Sequence, residues 1–201
     1  MNIRLAKDYN LLASVYWDEE IMSNYYSISL GMLTNSESSS EQNVAFGRVA
    51  SYIGDILQSG VFISQSEKEQ IHQLQNAKMK TIILPERPFD QSVAIMLFCK
   101  LNAICEDKLL ITDITVTSSL SDNVRYMIDA EDQFGPFGED GWWHESNPDW
   151  FDHTIDQDNT KVIKMDGRLT WENVNLNWEE KEEKEESANN VVKGNFNKQD
   201  D

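Results

Sequence analysis

Residues 89–105, FDQSVAIMLFCKLNAIC, decide how this chain is read. Phe89, Val93, Ala94, Ile95, Met96, Leu97, Phe98, Leu101, Ala103 and Ile104 leave almost no polar stripe. A helix of this composition has to be covered on several sides at once, so it is the expected centre of the fold. Pro88 just ahead of it and Asp90 in its first turn suit a helix start, which accounts for the segment 85–90, PERPFD, on structural grounds.

Outward from this helix the pattern changes period. Thr81, Ile82, Ile83 and Leu84, stopped by Pro85, read as a short buried strand. After the helix, Leu110, Thr112, Ile114, Val116 and Leu120 alternate with Asp113, Thr115, Thr117 and Ser119, the mark of a half-buried strand. Ser121, Asp122 and Asn123 supply a turn, and Val124, Tyr126 and Ile128 return as the hairpin partner. Upstream, Ala45, Val49, Tyr52, Ile53 and Ile56 recur at helical spacing ahead of Gly60. Ser66 with Glu69 predicts a capping box for a short helix through Ile71 and Leu74. The stretch 34–42, TNSESSSEQ, is a polar loop. In the first thirty residues Tyr9, Leu11, Leu12, Val15, Tyr16, Trp17, Ile21, Tyr25, Tyr26, Ile28 and Leu30 predict one or two further helices.

The resulting expectation is an α+β fold. N-terminal helices pack with a small, mostly antiparallel sheet around the buried central helix. Residues 1–178 form one domain, with a long acidic aromatic loop (132–160) inside it and a disordered charged tail at 179–201. At 201 residues the chain is long enough for one sizeable core. The longest apolar run, Val93 to Cys99, falls far short of the ~20 residues that span a bilayer, and no signal-peptide pattern is visible. Cys99 and Cys105 sit at different angles around the central helix and are read as reduced core thiols, which with the rest predicts a cytoplasmic protein without membrane contact.

Charge is unevenly placed. The formal net charge is −18, and residues 129–158 hold ten acids and no Lys or Arg. That segment also holds six aromatics. Tryptophan is a frequent anchor in interfaces, and carboxylates steer basic partners, so the expected binding residues are Phe134, Phe137, Glu139, Asp140, Trp142, Trp143, Glu145, Asp149, Trp150 and Phe151. The corresponding function is a non-enzymatic binding protein that docks on a basic, nucleic-acid-handling protein and modulates or inhibits it. Its carboxylates would imitate nucleic-acid phosphate, as in accessory factors of phages and mobile elements. The bland alternative is that the tryptophans fold back as cover for the hairpin.

Other chemistries are less supported. Lys78, Lys80, Arg87, Lys100, Lys108 and Arg125 could line a single-strand nucleic-acid groove regulated by the acidic tail, against the handicap of a sequence pI near 4.4. His144, Glu145, Asp149, Asp152 and His153 offer imidazole and carboxylate for a metal-dependent enzyme, but not at a helical ligand spacing. The stretch 156–167 fails as a calcium loop, with Lys161 and Gly167 where Gly and Glu are required. No nucleophile elbow, phosphate loop or dinucleotide fingerprint is present, and no cofactor is expected.

Overall fold

The computed structural model describes residues 4–122, 124–132, 135–138, 140–150 and 169–178. Its first two elements overturn the expected N-terminal helices. β1 (Arg4–Trp17) and β2 (Glu20–Thr34) form a long antiparallel hairpin, paired from Arg4 with Leu33 to Trp17 with Glu20. Leu11, Ala13 and Val15 of β1 are buried on one face, as are Tyr26, Ile28, Leu30 and Met32 of β2. Between the β2 residues stand Ser27, Ser29 and Gly31, which is the period-2 pattern of a strand with one wet side.

The rest of the chain extends this hairpin on both edges. In order there follow α1 (Ser39–Ser51), which continues as a π-helical turn (Tyr52–Ile56), β3 (Val61–Ser64), α2 (Lys68–Asn76) and β4 (Thr81–Leu84). Then come α3 (Asp90–Cys105), β5 (Leu109–Ser118) and β6 (Tyr126–Asp129). The sheet is six-stranded, in the order β4-β3-β1-β2-β5-β6, and strongly curled. β3 pairs in parallel with β1 on one side and with β4 on the other, and the remaining pairs are antiparallel. A large mixed sheet with few helices therefore replaces the small antiparallel sheet the sequence predicted. β3 went unread because all four of its residues are buried, so its short apolar run has no alternation to show.

Two local expectations also need correction. α2 is capped at Glu67 with no side-chain cap bond, so the Ser66–Glu69 box does not form; the Ser66 hydroxyl instead shares a hydrogen bond with Ser64 at 2.8 Å. In β5 a bulge shifts the register, because Gly31 faces Asp113 while Met32 faces Ile111. Thr112 is left over, and the inward face switches from Ile114 and Val116 to Ile111 and Leu109. Leu110, expected inside, is exposed, and so is Leu120.

α3 lies across the inner face of the sheet, in contact with β4, β5 and β6. It is buried along all but Gln91, Ile95, Asn102 and Ala103. Cys99 and Cys105 are buried free thiols, and burial pushes them up to about 11 and about 12. Among the described residues no helix is long and apolar enough to cross a membrane. The expected tail (179–201) lies outside the described residues.

The hairpin tip departs from the easiest local chemistry. Asp18 and Glu19 both adopt positive φ (49° and 64°), a two-residue turn for which Asn-Gly is the low-energy choice. Replacing them by Asn-Gly should raise stability by roughly 1 kcal/mol, because each non-glycine residue in the left-handed region carries a steric cost. Urea unfolding checks this. An unchanged or lower midpoint would show that the turn is already relaxed.

Candidate functional site

The aromatic loop is the first place to look. Its path is dictated by a lysine. Lys100 sits in the middle of α3, fully buried, and needs acceptors that an apolar helix cannot provide. Its Nζ donates to the carbonyls of Trp142 (2.9 Å) and Glu145 (2.8 Å), drawing the loop down over α3. The rings of Trp142 and Tyr52 stand 5.7 and 5.9 Å from the same Nζ. Burial lowers the ammonium to about 7, against the pull of the Glu145 and Asp149 carboxylates. Trp142 Nε1 donates to the Ile83 carbonyl on β4 (2.9 Å), and Trp143 Nε1 to Phe137 O (3.2 Å).

The expected binding residues are thereby distributed unevenly. Phe137, Trp142, Trp143 and Asp149 are buried, Glu145 and Trp150 are half-buried, and Asp140 is exposed. Phe134, Glu139 and Phe151 lie outside the described residues, as do Asp152 and His153 of the expected metal set. His144 Nε2 lies 2.6 Å from the Phe137 carbonyl, and the described residues contain no group of three or more potential metal ligands. Nor are the basic residues gathered into one groove. Lys100 is inside, Lys80 donates to the carbonyls of Asp55 and Gln58, and Lys108 pairs with Glu41 at 3.2 Å.

Acid and accessible aromatic surface meet elsewhere, at the β1–β2 tip. The end of β1 brings Trp17 against Phe89, which precedes α3, with ring centroids 4.8 Å apart. Phe89 is 53% exposed, although it adjoins the most buried helix in the protein. The Arg87 guanidinium stands over the Trp17 ring, 5.0 Å from its centre. Beside them a cleft of about 210 Å³ is lined by Tyr16, Trp17, Asp18, Glu19, Ser64, Glu67, Gln70, Arg87 and Pro88. Three carboxylates thus face a cleft that has one cation in it, borne by the chain itself. The Tyr16 hydroxyl is pushed up first by desolvation and then by Glu67 and Glu19.

Of these residues only Arg87 stands among the sequence's candidates, as one cation of the single-strand groove. The available signal is the run 17–20, WDEE, a tryptophan beside three acids, which a helical reading of the region does not single out. Pro88 and Asp90 account for this segment as a helix start, and α3 does begin there. Only the hairpin brings Arg87 and Phe89 to Trp17.

No family model matches the sequence, and neither does any curated protein. Among solved structures the chain is similar to an uncharacterized protein, WS1659, from Wolinella succinogenes (TM-score 0.43, 10% identity, 65% of this chain and 99% of that one). It is also similar to 6-pyruvoyltetrahydropterin synthase from Plasmodium vivax (TM-score 0.42, 8% identity, 64% and 97%). The synthase of Plasmodium falciparum matches at a TM-score of 0.37 and 10% identity, over 63% of this chain and 96% of that one.

Proposed function

We propose that this chain is a non-enzymatic binding protein that docks the acidic, aromatic tip of its β1–β2 hairpin on a basic surface of a nucleic-acid-handling protein. The observation that carries the reading is Arg87 over Trp17: a guanidinium already occupies the ring face, and Asp18, Glu19 and Glu67 line the same cleft. A cation over tryptophan gains from the ring quadrupole, and neighbouring carboxylates add charge-assisted hydrogen bonds. An arginine or lysine of the partner fits beside Arg87 on those three carboxylates. The net charge of −18 attracts a basic partner over distances of a Debye length. The strained Asp18–Glu19 turn fits this role, since unfavourable backbone is tolerated where side chains are needed.

The aromatic loop has a different part in this reading. Phe137, Trp142 and Trp143 hold the fold over α3, while Asp140 and the other exposed acids contribute only general attraction.

A defined basic probe tests the proposal. Binding of fluorescent nona-arginine would be followed by anisotropy for wild type and for Asp18→Asn/Glu19→Gln/Glu67→Gln. A control, Asp129→Asn/Asp132→Asn/Asp140→Asn, removes the same charge elsewhere. The tip variant should weaken binding at least tenfold more than the control. Equal weakening by tip and control would mean that the probe senses net charge alone, and the tip would lose its claim.

A further inference from the structure

The face of the sheet turned away from α3 carries a second site. Across β1, β2 and β5 the register places Asp8 opposite Ser29 and Ser29 opposite Thr115, with Ser27 opposite Thr117 beside them. These five residues and Arg125, just ahead of β6, line a groove of about 370 Å³. Small side chains keep its floor low; Leu12 and Tyr25 stand exposed further along the strands, and Met127, opposite Thr115, forms an apolar rim beside it.

The chemistry of this groove is specific. Among the described residues, none of the four hydroxyls makes a side-chain hydrogen bond, and neither Asp8 nor Arg125 is in an ion pair. One free carboxylate and one free guanidinium therefore flank a floor of four donor-acceptor groups. Three strand spacings separate β1 from β6, and Arg125 stands two residues along from Met127, which ends the Asp8–Ser29–Thr115 row, so the two charged residues start roughly 16 Å apart at Cα, a gap that the long arginine side chain shortens. An extended tripeptide, roughly 10 Å from end to end, bridges such a gap. The protein's net charge repels a simple anion, but a zwitterion has no net charge to be repelled.

We infer that this groove binds a short peptide with free termini, its carboxylate on Arg125, its ammonium on Asp8 and its amide groups on Ser27, Ser29, Thr115 and Thr117. A guanidinium holds a carboxylate through two parallel hydrogen bonds, which fixes the direction of the bound chain. The inference does not depend on the hairpin tip, and its test uses a different ligand.

The test is an NMR titration of the isotope-labelled full chain with triglycine, N-acetyl-triglycine and triglycine amide. Triglycine should shift the backbone amides of Ser27, Ser29, Thr115 and Thr117 saturably. Each blocked peptide should bind about tenfold more weakly. Arg125→Ala should weaken triglycine by a similar factor and remove the distinction between triglycine and its amide. Asp8→Asn should remove the distinction between triglycine and its acetylated form. Equal binding of the three peptides, shifts confined to other strands, or no saturable shift would each overturn the inference.

Discussion

Replacing Arg48 with alanine is expected to destabilise the protein by about 2–4 kcal/mol, the cost of leaving the Ile104 and Leu176 carbonyls without their donor and two tryptophan rings without their packing. Arg48 lies on α1 and is 2% exposed. Its Nε donates to Leu176 O (2.8 Å), and its Nη1 to Ile104 O (3.0 Å) and to the Glu106 carboxylate (2.8 Å). The guanidinium is stacked between Trp178, at 3.9 Å from the ring centre, and Trp171, at 4.9 Å. One side chain thus ties α1 to the end of α3 and to residues 169–178. Desolvation lowers its pKa, opposed by Glu106, but an arginine stays charged at any ordinary pH. Gly47 supports the same junction, because a Cβ there would come within 2.6 Å of Leu176 Cδ2. Arg48→Lys keeps the charge and loses the fork and the stacking, so it should fall between wild type and Arg48→Ala. Urea unfolding with near-ultraviolet circular dichroism checks both points. If Arg48→Ala stays within about 1 kcal/mol of wild type with its tryptophan signal intact, the junction does not hold the C-terminal segment.

The second large effect is one of pH. The Lys100 ammonium titrates at about 7 in the native protein and near 10.4 in the unfolded chain, by the reference value for lysine. Between these values the unfolded chain binds more protons than the native one, so stability contributed at this position rises with pH through that window. The groups facing Lys100 are Tyr52 from the π-helical turn and Glu145 and Asp149 from the loop; the tyrosine is raised well above its usual range by burial. Above about pH 8.5 the buried thiols Cys99 and Cys105 act the other way, because they ionise in the unfolded chain first. The difference between wild type and Lys100→Met isolates the lysine. Stability of wild type relative to the variant should increase by about 2 kcal/mol from pH 6.5 to 8.5. The variant also leaves the Trp142 and Glu145 carbonyls without their donor, which should loosen the loop and raise Trp142 fluorescence quenching by acrylamide. A flat difference across that range would place the lysine's titration outside it.

Parts of this protein were legible from local pattern. The helix Asp90–Cys105 is so uniformly apolar that composition alone demands burial, and the pairing of Ile114 with Ile128 follows from alternation around a turn. The N-terminal hairpin escaped because its outer face is not clean. Leu12, Ile21 and Tyr25 are 48%, 46% and 49% exposed, and these outward apolar residues mask the period of two. Its turn gave no warning either, since Asp-Glu is an uncommon pair for positive φ. The unmasked run from Tyr26 to Met32 was the better guide.

The candidate sites show the same division. Composition and local pattern were enough for the acid excess, the buried helix and the segment in which aromatics and carboxylates concentrate. Three-dimensional packing is what closes Trp142 and Trp143 over Lys100, brings Trp17 to Arg87 and Phe89, and sets Asp8 and Arg125 at one groove with four hydroxyls. Backbone periodicity is a local property, written in neighbours two to four residues apart. Burial and the pairing of charges depend on what covers a residue, and here the covering groups come from up to 128 positions away, as Leu176 does for Arg48.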